Sequence, residues 1–305
     1  MGRYLVERLL YSVFVIFGVT IIVFLLVHLT GDPAVALMPR EASPQEVEEF
    51  RHRIGFDQPL YEQYLSFLGR VAQGNFGYSY RSNEDALSLV IERIPATTQL
   101  ATAAAFVALI ISIPMGIISA LKRNSFFDKA SMAFALFGQC MPTFWLGILL
   151  ILIVSVGFRL LPASGGGDFR HLVLPAITLG MYSAAVITRV LRSSLLDVMG
   201  KEYIRVARSK GLSEGHVLGR HALKNAAIPV VTVIGMQIAS LLAGAIITET
   251  VFSYPGMGLL AIQAIRYRDI PVVQAFVTLV AVVVVTTNLI VDISYRYLDP
   301  RVRLG

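Results

Sequence analysis

Apolar residues in this chain fall into long, nearly unbroken runs, not into the alternating or every-third-residue stripes of half-buried elements. The runs of roughly twenty residues or more are Leu9 to Leu29, Thr97 to Leu121, Ala130 to Phe158, Leu172 to Leu191, Ile228 to Val251 and Val272 to Ile293. Lipid offers no hydrogen-bond partner to a bare backbone, so each run is expected to be a helix that satisfies its own amides. Pro142 lies inside the third run and predicts a kink there. The first run has 21 residues, longer than the roughly 7–15 of a cleavable signal core. It is therefore expected to stay as a span. The pattern predicts an all-α integral membrane protein of about six transmembrane helices, with residues 1–305 forming one transmembrane domain.

Composition agrees. The chain is 55% hydrophobic and 15% charged, whereas a soluble domain carries about 25% charged residues. Its formal charge of +6 is not gathered into one solvated basic patch, which argues against a nucleic-acid partner. The basic residues separate by loop instead: 16 of the 26 lie on the side of the N-terminus, at the edges of alternate spans, and the rest are spread over longer connections. By the positive-inside rule both termini are expected in the cytoplasm. Cys140 is the single cysteine; it sits in an apolar stretch and is expected to be a small buried hydrophobe.

Two connections are too long to be plain loops. Residues 30–96 form a polar extracytoplasmic insertion with helix signals of its own. Ser43-Pro44-Gln45-Glu46 joins an N-cap serine, a first-turn proline and a glutamate placed to close a capping box. A second helix is expected from Pro59, with Leu60, Tyr64, Phe67, Leu68 and Val71 at helical spacing and Gly74 as its stop. A third is expected from Asp85 to Ile94, ended by Pro95. The resulting cap either docks a partner or shields the helix ends, and the residues alone leave both open.

The other long connection, 192–225, is the most basic part of the chain. Lys201 to Lys210 reads as a short helix with Tyr203, Val206, Ala207 and Lys210 on one side. Gly211 suits the left-handed residue that ends it, and Ser213 is placed to cap a second helix carrying Val217, Leu218 and Ala222. Two helices turning tightly about Gly211-Leu212-Ser213 make a rigid cytoplasmic protrusion. It plugs into a groove on another protein or lies on anionic lipid.

No enzyme chemistry is visible. The chain lacks the GxxxxGK[ST] phosphate loop, the HExxH zinc pair and the GxSxG nucleophile turn, and its histidines 28, 52, 171, 216 and 221 scatter over both sides of the membrane. No catalytic, cofactor-binding or metal-ligating residue is nominated, so uphill transport would draw energy from a partner or an ion gradient.

The run Tyr203-Ile-Arg-Val-Ala-Arg-Ser-Lys-Gly-Leu212 resembles the EAA signature of ABC importer permeases in the form typical of the dipeptide, oligopeptide and nickel family. Ala207 and Gly211 match the signature, while Arg205 and Val206 depart from its first two letters. His221-Ala222-Leu223-Lys224 with Pro229 is similar to the same variant. Gly31-Asp32-Pro33, Asp57-Gln58-Pro59-Leu60-Tyr61, Gly74-Asn75-Phe76-Gly77, Tyr254-Pro255-Gly256-Met257-Gly258 and Leu298-Asp299-Pro300-Arg301 extend the likeness over nearly the whole chain, specifically to the family's first type of membrane subunit. The resemblance implies a type I ABC importer fold in a bacterial inner membrane. It implies a heterodimer with a second homologous permease, two cytoplasmic ATPases that bind ATP and magnesium, an extracytoplasmic solute-binding protein, and lipid around the spans. It assigns 192–225 as the ATPase-coupling loop, with Tyr203, Arg205, Ala207, Lys210, Gly211 and Leu212 as its site residues. The implied solutes are di- or oligopeptides, with nickel chelates, glutathione-like molecules and other small solutes as alternatives.

Polar residues inside spans are the candidate pathway. Glu249 near the outer end of the fifth run contacts an outer gate or solute, or else forms a structural ion pair or sits at the interface. Gln237 and Ser240 line a polar stripe or bond between helices. Asn288 is a pathway candidate, and with Asp292 and Arg296 it shares a helix face suited to structural pairing. Gln139 lies beside the Pro142 break, while Arg189 and Arg192 read as topology anchors. The rival from another class is an ion-coupled secondary carrier, but neither an inverted repeat nor a mid-span carboxylate supports it.

Overall fold

A computed structural model describes residues 2–29, 38 and 43–298. Gly31-Asp32-Pro33 and Asp299-Pro300-Arg301 lie outside the described residues, as do the side chains of Asn288, Asp292 and Arg296. The described secondary structure is helical, and by internal contacts it divides into two compact units.

The first unit holds α1 (Gly2–Leu29), α2 (Pro44–Ile54), α3 (Leu60–Ala72) and α4 (Ala86–Ile91), together with Leu260–Thr286. α2 starts where the capping box puts it: the Glu46 carboxylate accepts from the Ser43 amide at 2.7 Å, and the Ser43 hydroxyl accepts from the Glu46 amide at 3.3 Å. α3 turns Tyr64, Phe67 and Val71 onto Val19, Val23 and Phe24 of α1, with Val277 joining the cluster. Tyr64 and Phe24 meet edge to face at 5.3 Å, and the Tyr64 hydroxyl reaches Thr20 Oγ1 at 3.0 Å. One stretch of the insertion is pinned from elsewhere in the unit. Asp269 accepts from the Ser79 hydroxyl at 2.5 Å and from the Tyr80 amide at 3.1 Å, and Arg81 lies 4.0 Å over the Tyr267 ring.

The expected third helix is shorter than its pattern. Asp85 caps α4 by accepting from the Ser88 amide at 2.8 Å, but α4 ends at Ile91. Pro95 belongs to the first turn of α5 (Ile94–Leu121) and does not end α4. The first turn of a helix needs no donor from that nitrogen, so the proline opens the span.

The second unit contains α5 from Pro95 onward, α6 (Phe126–Cys140), α7 (Thr143–Leu150) with its π-helical continuation Ile151–Gly157, α8 (Phe169–Met199), the loop at 192–225, and α11 (Leu223–Val251). Between α8 and α11 the loop carries α9 (Glu202–Ser209) and α10 (Glu214–His216), which is extended by a wider turn, Val217–Ala222. α12 (Met257–Tyr267), which no apolar run announces, and α13 (Ile270–Leu298) complete the order. Among the described residues, Ala86–Leu121, Phe169–Met199 and Ile270–Thr287 are by themselves long and apolar enough to span a membrane, and Leu10–Leu25 is a shorter apolar stretch.

The third run is not one straight helix: α6 and the Thr143–Gly157 arm meet at 108°. Pro142 has no amide to donate and crowds the residue before it, so Met141 adopts an extended φ of −79° and ψ of 120°. Cys140, at the end of α6, is exposed, contrary to its expected burial. The last turn of α6 presents it outward, where an apolar thiol suits lipid.

α8 is the central element of its unit: 67% of its apolar window is buried within the chain, against 33% for the window of Ala86–Leu121. Close helix approach is made by small residues, as expected where packing replaces the hydrophobic drive between spans. A Cβ at Gly180 of α8 would lie 2.5 Å from the Ala104 carbonyl oxygen of α5, and one at Gly138 of α6 would lie 2.9 Å from the Ala185 Cβ.

Candidate coupling loop and pathway residues

The loop at 192–225 folds around a small core of its own. Ile204, Val217 and Ala222 are fully buried and Ala207 nearly so, and Val198, Met199, Leu212 and Leu218 pack against them. Val198 and Met199 belong to the end of α8, so the loop is seated on that helix by apolar contact. The inward face of α9 is Ile204 and Ala207; Tyr203, Val206, Arg205 and Lys210 are exposed. Of the residues expected on one side of this helix, Tyr203, Val206, Ala207 and Lys210, only Ala207 is buried. Ile204, not Tyr203, completes the packed stripe with Ala207 at i, i+3.

Gly211 has φ of +77°, the left-handed conformation expected of it. Ser213 occupies the N-cap position of α10 without a side-chain cap bond. Arg208 bridges the turn: its Nε and second terminal nitrogen donate to the two Glu214 oxygens at 2.8 and 3.1 Å. Folded this way, the element exposes an apolar pair, Tyr203 and Val206, and the basic side chains of Arg205, Lys210 and Arg220. Such a surface suits a protein groove with an acidic rim.

The described span candidates make different contacts. Glu249 is fully buried and meets no cation among the described residues. Its Oε1 accepts from the Thr97 hydroxyl at 2.6 Å, and its Oε2 accepts from the Gly258 and Leu259 amides at 2.6 and 3.1 Å. Thr97 Oγ1 in turn accepts from the Met257 amide at 2.9 Å. Glu249 therefore caps the first turn of α12, where free amides favour a carboxylate. This accounts for the glycines of Tyr254-Pro255-Gly256-Met257-Gly258. A Cβ on Gly256 would fall 2.1 Å from Glu249 Oε1, and one on Gly258 would fall 2.5 Å from Ile246 Cα.

The Ser240 hydroxyl donates within its own helix, to the Gln237 carbonyl at 2.8 Å, and Gln237 Nε2 is buried with no hydrogen-bond partner among the described residues. Gln139 is half-buried beside the α6–α7 break. Arg192 is more than a topology anchor. Its Nε and terminal nitrogen donate to the Asp128 oxygens at 2.6 and 2.8 Å, and Asp128 is 3% exposed. Sequence reading missed Asp128, although a carboxylate three residues after Ser125 in an apolar helix start was a visible signal.

The sequence model of the family described as binding-protein-dependent transport system inner membrane component matches residues 112–304, and that of its N-terminal region matches residues 1–101. This chain belongs to that family. Among its relatives, the di/tripeptide transport system permease protein DppB of Pseudomonas aeruginosa (strain UCBPP-PA14) is 43% identical over 94% of each chain. The dipeptide transport system permease protein DppB of Escherichia coli (strain K12) is 39% identical over 99% of each, and the glutathione transport system permease protein GsiC of the same strain is 40% identical over 99% of each. In fold the chain resembles the inward-facing MetNI methionine ABC transporter, with a TM-score of 0.57 at 18% identity over 69% of this chain and 96% of that one. A family member with these apolar helices is a multi-pass inner-membrane protein that works within a transporter complex.

Proposed function

We propose that this chain is one of two membrane subunits of an ATP-driven importer that brings short peptides into the cell. Its loop at 192–225 receives a cytoplasmic ATPase, and an extracytoplasmic binding protein delivers solute. The observation that carries the energy-coupling part is the loop. It is a self-cored pair of helices seated on the end of α8, with Tyr203, Val206, Arg205 and Lys210 facing outward around a left-handed Gly211. A solvated linker would not bury Ile204 and Val217 completely. ATP and magnesium belong to the partner ATPases; this chain supplies half of the membrane pathway and one docking element. Closure of the ATPase pair pulls on the loop, and α8 carries that movement to the spans.

Peptides are favoured as solute because the named relatives quoted above include a di/tripeptide and a dipeptide permease at 43% and 39% identity over nearly their full length. The glutathione permease at 40% supports a second reading, a glutathione-like tripeptide. Both termini are assigned to the cytoplasm from the basic-residue asymmetry. The test is purification of the tagged chain from native membranes in mild detergent, followed by reconstitution of whatever complex is recovered. Recovery of a second permease and ATPases, with ATP-dependent uptake of labelled dipeptide, supports the proposal. Uptake driven by an ion gradient with no ATPase would establish a secondary carrier instead, and competition by glutathione but not by dipeptides would select the second solute.

A further inference from the structure

Asp128 is a buried carboxylate on the first turn of α6 with four donors aimed at it. Its Oδ1 accepts from the Ser119 hydroxyl and Arg192 Nε, both at 2.6 Å, and its Oδ2 accepts from the Asn124 amide and an Arg192 terminal nitrogen, both at 2.8 Å. Ser119 lies in the last turn of α5, Asn124 in the α5–α6 turn and Arg192 in α8. One side chain thus ties three helices together at a single end of the unit. The pair is 64 residues apart in sequence and bidentate, the geometry in which guanidinium and carboxylate are held most rigidly.

Its position relative to the loop gives it a consequence. Arg192 is two helical turns before the end of α8 at Met199, and Val198 and Met199 pack directly into the core formed by Ile204, Ala207, Val217 and Ala222. An unbroken mechanical path therefore runs from α9, through the end of α8, to Arg192, Asp128 and the α5–α6 turn. Among the described residues, the Asp128–Arg192 pair supplies the side-chain hydrogen bonds between α8 and α6.

We propose that Asp128 and Arg192 form a positioning pair, through which displacement of the cytoplasmic loop moves α5, α6 and α8 as one body. The pair is a strut in the coupling of ATP hydrolysis to transport and does not touch solute or nucleotide. This inference rests on the reading of the chain as an ATPase-coupled permease.

The test uses the whole reconstituted complex and measures ATP hydrolysed and labelled solute imported in the same vesicles. Asp128→Asn keeps shape but removes the charge; Arg192→Lys keeps charge but removes the bidentate fork. The expected result for both is a complex that assembles and hydrolyses ATP, with solute moved per ATP reduced about tenfold, the factor that corresponds to ~1.4 kcal/mol. The exchanged pair Asp128→Arg with Arg192→Asp should recover part of that ratio. Unchanged solute per ATP in both single variants would overturn the proposal. So would loss of assembly in both, because the pair would then be structural only. A wild-type complex that hydrolyses ATP without importing any solute tested, or imports without ATP, would remove the functional reading itself, and that outcome is seen before any variant is made.

Discussion

Gly211 lets the geometry of the proposed coupling loop be tested with a single substitution series. Its φ is +77°, and a Cβ added there would meet nothing within 4 Å. The cost of a side chain is therefore backbone strain alone, with no clash to confuse it. An L-residue held left-handed pays about 1–2 kcal/mol. A β-branched residue pays more than alanine, and asparagine pays less because its short polar side chain tolerates that region. Against this stands the Arg208–Glu214 pair, with side chains 40% and 68% exposed, and an exposed pair contributes only about 0–1 kcal/mol. The ion pair cannot hold the turn against the strain. The expected order of ATPase association is Gly211, then Asn, then Ala, then Val, with the alanine variant about 5- to 30-fold weaker than wild type. The assay is titration of purified ATPase onto the detergent-solubilised permease, alongside a thermal melt that shows the spans intact. Gly219→Ala serves as control, since Gly219 has no positive φ and open space around its Cβ, and its melt should not fall. Wild-type association by Gly211→Val, or equal weakening by asparagine and valine, would refute the argument.

Three further outcomes follow from the packing and the caps. Gly256→Ala would drive a methyl group into the Glu249 carboxylate, and overpacking of this kind costs about 1–3 kcal/mol; a melting temperature in detergent equal to wild type would contradict the assigned cap on α12. Gly180→Ala faces backbone, the Ala104 carbonyl, so α5 and α8 must separate; the expected drop in melting temperature should exceed that of Gly244→Ala, whose nearest neighbour is the flexible end of Leu179 at 3.5 Å. The Ser43 backbone amide, and then its hydroxyl, hold the Glu46 carboxyl below its ordinary value of 4.5. A depressed carboxylate stabilises the fold above its unfolded pKa and loses that contribution as pH falls through the folded value. The protection of the α2 amides, taken relative to their intrinsic exchange rates, should therefore fall on acidification below about pH 4.5 in wild type and show no such step in Glu46→Ala, and a step surviving in the variant would dismiss the capping box as its source.

Much of the helical framework was legible because its causes are local. Leu9 to Leu29 and Thr97 to Leu121 became α1 and α5 because a backbone in lipid must bond to itself, whatever its neighbours. The Ser43 box and the Gly211 turn involve residues three or four apart, close enough for pattern to imply contact. α12 escaped notice because its eleven residues follow a glycine-rich turn and are neither long nor uniformly apolar. Which face of α9 turns inward was not legible, because eight residues with apolar side chains on two sides do not say which side finds a partner; Val217 and Ala222 decided it.

The amino-acid sequence by itself pointed to a membrane permease of the binding-protein-dependent family, to most of its long helices and to the place where its loop turns, though it stopped the fourth run at Leu191 where α8 continues to Met199. Only the tertiary structure decided what its buried charges are for. Glu249 caps a helix through Thr97, 152 positions away, and Asp128 locks to Arg192 across 64. A carboxylate in an apolar run announces that something must satisfy it, because leaving it bare costs too much. Which donors do so depends on how the helices close on one another, and no periodicity along the chain carries that information.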